Sequence, residues 1–252
     1  MSLEYNDENH TYEVKGKRLI GVTTLVHKYS SDFNKEEIID KIFEKSYHPE
    51  IYLGSNGKYR FFTKEMISQL WKNKAEYGTF IHQLAEDIIN NKEVLVKCPE
   101  VNQIKRFLKE GYEVIATELK VYSEELGVAG TIDLVLKKGD KYYIADWKTN
   151  VGKDLSDING DRWTNYLKKP LNNTPDLPFW LYSLQTSVYQ YILQNDVKYK
   201  DTYKEFGDNF LIHLTGSKDE QVYNMSKIDY KKINVPFMRQ EVELMLEGLK
   251  NG

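Results

Sequence analysis

The chain has 252 residues, 40% of them hydrophobic and 29% charged, with a net charge of −3. This is a globular composition, long enough to bury a substantial core; no apolar run nears membrane-span length, and the bulk positive charge of a nucleic-acid coat protein is missing. The single cysteine, Cys98, excludes an intramolecular disulfide and any Cys-only zinc or iron–sulfur site within the chain, and it fits a reducing, intracellular compartment.

The acidic, polar start from Met1 to His10 resembles neither a secretory signal nor a transit peptide. Thr11 to Val22 reads as a small hairpin around Lys15-Gly16-Lys17, with Thr23 or Thr24 as the cap of a short helix. Asn34 is a good cap for a helix from Lys35 to about Lys45. Thr63 caps the next, with Met66, Ile67, Leu70 and Trp71 as its apolar stripe. A separate helix is predicted from about Lys74 to Asn91, with Tyr77, Ile81, Leu84, Ala85 and Ile88 facing the core. His82 and Glu86 share a face of it. A partly buried histidine satisfied by Glu86 is the simplest account of that pair. Gly78, one turn before His82, costs about 1 kcal/mol relative to Ala, so something must offset it, for instance close approach of another backbone or a ligand.

Pro99 opens a helix to about Glu110. Tyr112 to Tyr122 is a strand carrying Glu118, and it leads into a hairpin. The strands around Thr131–Val135 and Ile144–Lys148 are joined at Gly139-Asp140, a Gly-X pair suited to a two-residue loop. That loop places Lys138 opposite Lys141 and therefore Asp133 opposite Asp146, with Cβ atoms about 5 Å apart. Lys148 shares their face. Ile132, Leu134 and Leu136 lie across from Trp147, Ala145 and Tyr143 on the other, a coherent core face. Two opposed like charges are destabilising unless a proton, a cation or basic neighbours offset them. Two carboxylates and a lysine at this spacing fit a hard divalent ion with an anionic substrate. A solvated, charge-laced hairpin face is the alternative.

Asn150 to Pro178 is a long polar connection with Lys153, Arg162, Trp163, Tyr166, Lys168 and Lys169. Basic and aromatic side chains so interleaved suit a phosphate backbone and stacked bases; an ordinary solvated loop has the same composition. Phe179–Gln194 is an amphipathic helix with Gln185 and Tyr189 four apart on one side. Strands are expected at Phe210–Leu214 and Gln221–Met225, and a closing helix at Val235–Leu249.

Gly78-xxx-His82 on a helix, Gly130-xx-Asp133 on a strand, Asp146-x-Lys148 on the next and Gln185-xxx-Tyr189 on a later helix occur in that order. Together they resemble the PD-(D/E)XK nuclease superfamily, in particular its RecB-type and viral exonuclease branch. Gly21-Val22-Thr23-Thr24 also looks like RecB-type exonucleases. The resemblance implies an α/β (α+β) restriction-endonuclease-like core: a central mixed sheet with an antiparallel meander, flanked by helices. It implies one nuclease domain, with residues 1–73 as accessory part, 74–215 as core and 216–252 as a closing strand and helix. It implies that Asp133, Asp146 and the carbonyl of Trp147 bind Mg²⁺ or Mn²⁺, with His82 as a further ligand and Glu118 and Glu86 as ligands or their supports. Lys148 would act on the attacking water and the phosphate, and Gln185 and Tyr189 would position DNA or the site. The iron–sulfur subgroup needs four cysteines and is excluded. The implied activity is metal-dependent DNA cleavage, by an exonuclease of recombination, repair or phage genome processing. A specific endonuclease or a non-cutting nucleic-acid-binding module are the rivals, and any helicase motor would be a separate partner.

Overall fold

The computed structural model describes residues 3–6, 11–53, 59–149, 154–162, 164–214 and 229–250. In chain order the elements are β1 (Glu4–Asn6), β2 (Thr11–Val14), β3 (Lys17–Gly21), α1 (Val22–His27), α2 (Lys35–Phe43), α3 (Lys64–Ile89) and α4 (Pro99–Phe107). There follow β4 (Glu113–Ser123), β5 (Val128–Lys138), β6 (Lys141–Lys148), α5 (Pro178–Asn195), β7 (Asn209–Leu214), β8 (Tyr230–Val235) and α6 (Arg239–Lys250). They form two compact units: residues 1–31 with 84–252, and residues 32–83.

The larger unit holds an eight-stranded sheet in the order β1-β2-β3-β5-β6-β7-β8, with β4 on the free edge of β5. β3 runs parallel to β5 and β6 parallel to β7; the other pairs are antiparallel. The sheet is therefore mixed, and β4-β5-β6 is the expected meander. The β5–β6 turn works as its residues require: Gly139 takes φ 62°, and Lys138 pairs with Lys141. Glycine adopts that left-handed φ at no steric cost.

Both sheet faces are covered. On one, Phe107 of α4 meets Trp147 edge-on at 5.6 Å between ring centroids and Phe210 at 6.0 Å. On the other, α1, α5 and α6 pack Val22, Leu25, Leu184, Val188, Val242 and Met245 with Val135 and Ile144 of the hairpin. Sheets buried on both faces read as continuous apolar runs, and Ile132, Leu134, Val135 and Leu136 are all fully buried. Buried Asn209 joins β7 to its neighbours: its Oδ1 accepts from the Ile144 amide at 3.0 Å and its Nδ2 donates to Gln190 at 2.8 Å.

One edge of β5 is shared. β3 pairs with it at Val128 and Ala129, and β6 from Leu134 to Lys138. Between these pairings, Gly130 to Asp133 carry no ladder partner on that edge among the described residues. The fork opens the sheet beside Asp133.

The smaller unit has its own core of Ile39, Phe43, Tyr52, Tyr59 and Ile67. The Asn34 side chain caps α2, accepting from Glu37 N at 3.2 Å, and Thr63 Oγ1 accepts from Met66 N at 3.2 Å.

Several elements differ from expectation. α1 starts after Gly21, with neither Thr23 nor Thr24 as its cap, because β3 runs straight into it. The two helices expected between Thr63 and Asn91 are one, α3: nothing between Trp71 and Lys74 breaks a helix. Met66 and Tyr77, expected in core stripes, are 47% and 39% exposed. β8 is an unexpected strand; its lysines 231 and 232 mask the period-two pattern, as is common at sheet edges. α6 begins at Arg239 rather than Val235, because Pro236 interrupts the segment. The strand expected at Gln221–Met225 lies outside the described residues.

Candidate active site

Three neighbouring strands bring three carboxylates into one row. In the β4–β5 pairing, Thr117 faces Leu134 and Leu119 faces Ile132, which sets Glu118 against Asp133. Glu118 takes φ 47°, a left-handed conformation rare outside glycine, and the ladder is interrupted there. A carboxylate oxygen of Glu118 lies within 4.8 Å of one of Asp133. In the β5–β6 pairing the expected register holds through Leu134–Ala145 and stops one pair short of Asp133 and Asp146. There the Asp133 carboxylate itself accepts from the Trp147 amide at 2.9 Å. A side chain has replaced a strand carbonyl as acceptor, so the strands part while the amide stays satisfied.

The electrostatics follow from this crowding. Asp133 is held well above the ordinary carboxylate range, first by burial and then by the charge of Asp146. Glu118 is pushed up to about 7, by burial and then by Glu86 and Asp146. Both shifts record an excess of buried negative charge. Lys148 supplies one offset. Burial disfavours its ammonium, but Asp146, Tyr182 and Asp133 outweigh that and hold it cationic above its usual value. It forms an ion pair with Asp146 Oδ2, the two side chains being 13% and 7% exposed. The Lys148 ammonium also sits over the Tyr182 ring, 4.3 Å from its centroid.

α5 crosses the row. Tyr189 is 4% exposed, its hydroxyl is hydrogen-bonded with Gln185, and burial raises its pKa. Its ring explains Gly130: a Cβ there would stand 2.7 Å from the Tyr189 ring and 3.0 Å from its hydroxyl. At the open edge of β5, Tyr12 and Thr131 share a hydroxyl hydrogen bond of 3.1 Å.

Asp133, Asp146, Trp147, Lys148, Glu118, Gln185 and Tyr189 thus meet within the larger unit, with Glu86 close enough to act on Glu118. His82 is half-buried on α3 in the smaller unit, four residues before Glu86. Of the basic–aromatic connection, Arg162, Lys168 and Lys169 are exposed, and Leu155, Leu167 and Leu171 anchor it in the core. Lys153 and Trp163 lie outside the described residues. Sequence reasoning missed Tyr182, Tyr12, Thr131 and His213. Tyr182 was within reach, since it lies three residues before Gln185 on the same helix face. His213 is buried and pairs with Lys148 across β6–β7; only the parallel register could reveal that.

The chain is 25% identical over 235 residues to the RecBCD enzyme subunit RecB of Haemophilus influenzae, an alignment covering 86% of this chain and 18% of that one. The chain therefore spans under a fifth of that relative's length. A fainter likeness in structure is to SSO0001, with a TM-score of 0.35 and 15% identity over 95% of this chain and 78% of that one. The family model of the PD-(D/E)XK nuclease superfamily matches residues 62–252. With its mixed sheet, its flanking helices and this match over most of its length, the chain belongs to the PD-(D/E)XK nuclease superfamily.

Proposed function

We propose that the protein is a Mg²⁺- or Mn²⁺-dependent deoxyribonuclease, acting as a RecB-type exonuclease on DNA. The observation that carries this is the row Glu118–Asp133–Asp146 closed by Lys148. The donors that the larger unit supplies fit a hard divalent cation: they are all oxygen, and they hold more negative charge than one lysine offsets. Asp133, Asp146, the Trp147 carbonyl and Glu118 would hold the ion. Glu86 would support them, and by family resemblance His82 would add a nitrogen ligand. A bound divalent ion polarises the phosphate and lowers the pKa of water.

The protein's own groups do the rest. Lys148, held as an ammonium, donates to the phosphate and stabilises the charge that develops on it. Asp133 is fixed by the Trp147 amide, so it is already oriented before substrate arrives. Tyr189 and Gln185 hold each other against Gly130 and keep β5 in place. Exposed Arg162, Lys168 and Lys169 suit contact with the phosphate backbone. The similarity to a subunit of the RecBCD enzyme supports the RecB-type assignment, and this reading includes a role in recombination, repair or phage genome processing.

The test is cleavage of end-labelled linear single- and double-stranded DNA beside closed circles, with Mg²⁺, Mn²⁺ or EDTA. Metal-dependent loss of linear strands with circles intact, abolished by Lys148→Ala, is the expected result. Cutting of the circles would assign an endonuclease. Binding of DNA without cleavage would assign a non-catalytic module.

A further inference from the structure

Tyr182 lies on α5 three residues before Gln185 and seven before Tyr189, so the three share one helix face. The two ends of that stripe meet different parts of the site. Tyr189 sits at Gly130, with Asp133 among the charges acting on it. Tyr182 sits at Lys148, with the ammonium over its ring at 4.3 Å. The ring is half-buried and packs on the apolar group of Leu155, Phe179, Leu211, Ile233 and Val235. Leu211 is the register partner of Asp146 on β7. The ring is thus fixed to the same strands that carry Asp146 and Lys148.

Lys148 has two named partners, the Asp146 carboxylate and this ring. They differ in kind. A carboxylate that serves as a ligand can no longer give its full charge to the lysine. An aromatic face has no lone pair to offer a hard cation, and its quadrupole still attracts the ammonium. A lysine side chain is long and rotamer-rich, so an ammonium released from its carboxylate needs a second fixed partner to stay on target.

From the geometry we propose that Tyr182 is a positioning residue: its ring holds the Lys148 ammonium over the carboxylate row, ready for the phosphate, when Asp146 is engaged elsewhere. The role rests on the nuclease reading above and belongs to the ring, not to the hydroxyl.

The experiment compares wild type, Tyr182→Phe and Tyr182→Leu in Mg²⁺-dependent cleavage of linear DNA. It also follows the Lys148 ε-methylene proton resonance, assigned by comparison with Lys148→Arg. Tyr182→Leu is expected to lower kcat about tenfold, the loss of one largely desolvated cation–π contact, with KM within about twofold. Tyr182→Phe keeps the ring and should stay within about twofold of wild type in both. The ε-methylene resonance should be shifted upfield by the ring in wild type and Tyr182→Phe, and should move downfield in Tyr182→Leu. Wild-type kcat in Tyr182→Leu overturns the proposal. So does Tyr182→Phe falling as far as Tyr182→Leu, since that would assign the role to the hydroxyl. A resonance that does not move between wild type and Tyr182→Leu overturns the contact itself, whether or not the protein cleaves DNA. Absence of wild-type cleavage with the upfield resonance present overturns the nuclease reading and leaves the contact established.

Discussion

The Asp133 carboxylate accepts a hydrogen bond from the Trp147 amide at 2.9 Å, at the point where the β5–β6 ladder ends. One side chain thus serves both the fold and the site: it satisfies a backbone donor that the parting strands would orphan, and it supplies a carboxyl group to the row. The two tasks separate in Asp133→Asn, whose amide oxygen can still accept from Trp147. That variant should lose at least about 100-fold in cleavage, because a ligand charge is gone. Its metal-free Tm should rise by a few degrees, because like-charge repulsion and desolvation are relieved. Thermal unfolding in EDTA, alongside the cleavage assay, checks both halves; a lower metal-free Tm would refute the stability half.

Glu118 gives a pH dependence of definite sign. Its carboxyl is pushed up to about 7 in the fold, against an ordinary value of 4.5. A raised carboxyl contributes stability that is fully present below the unfolded value and is lost as pH rises through the folded one. In EDTA the Tm should therefore fall between about pH 5 and pH 8, and Glu118→Gln should flatten that fall. Scans across the range decide it, and a Tm that climbs toward pH 8 would contradict the assignment.

The cation should couple to stability in the opposite direction. A ligand that binds only the folded state stabilises it by about 2.7 kcal/mol at a hundred times its Kd. Mg²⁺ or Mn²⁺ should raise the wild-type Tm, more at pH 8 than at pH 6, since protons compete for the same oxygens. Asp146→Ala should abolish the rise. An equal rise in Asp146→Ala would move the cation to another place.

Gly130 is fixed by contact rather than by backbone conformation. Gly130→Ala would drive a methyl to 2.7 Å from the Tyr189 ring. Overpacking of this kind costs about 1–3 kcal/mol, so the midpoint of urea unfolding should drop. Because Tyr189 must shift, its hydrogen bond with Gln185 should weaken and cleavage should fall too. An unchanged midpoint would mean that Tyr189 moves freely.

Asn209 tests the join between hairpin and β7. Asn209→Leu leaves the buried Ile144 amide and the Gln190 side chain short of their partners. Each buried polar group so orphaned costs about 1–3 kcal/mol. Denaturant titration should show a loss of at least that size, with the carboxylates of the row untouched.

The sequence by itself determined the local and periodic features. Gly139-Asp140 set the hairpin register, and with it the shared face of Asp133, Asp146 and Lys148. Asn34, Thr63 and Pro99 marked helix starts through capping chemistry that acts within one turn. The spacing of Gln185 and Tyr189 placed them on one side of α5. Tertiary structure decided everything that depends on partners distant in sequence. The fork along β5 arises because β3 and β6, more than a hundred residues apart, share one edge. The left-handed turn at Glu118 has meaning only opposite Asp133. Gly130 is explained only by a tyrosine 59 positions later, and Tyr182 by the lysine beneath its ring. The charged strand β8 could not be read from its own residues, because its partner β7 supplies the apolar surface that makes it a strand. Local signals travel a few residues along the chain; the site is made where packing brings separate segments together.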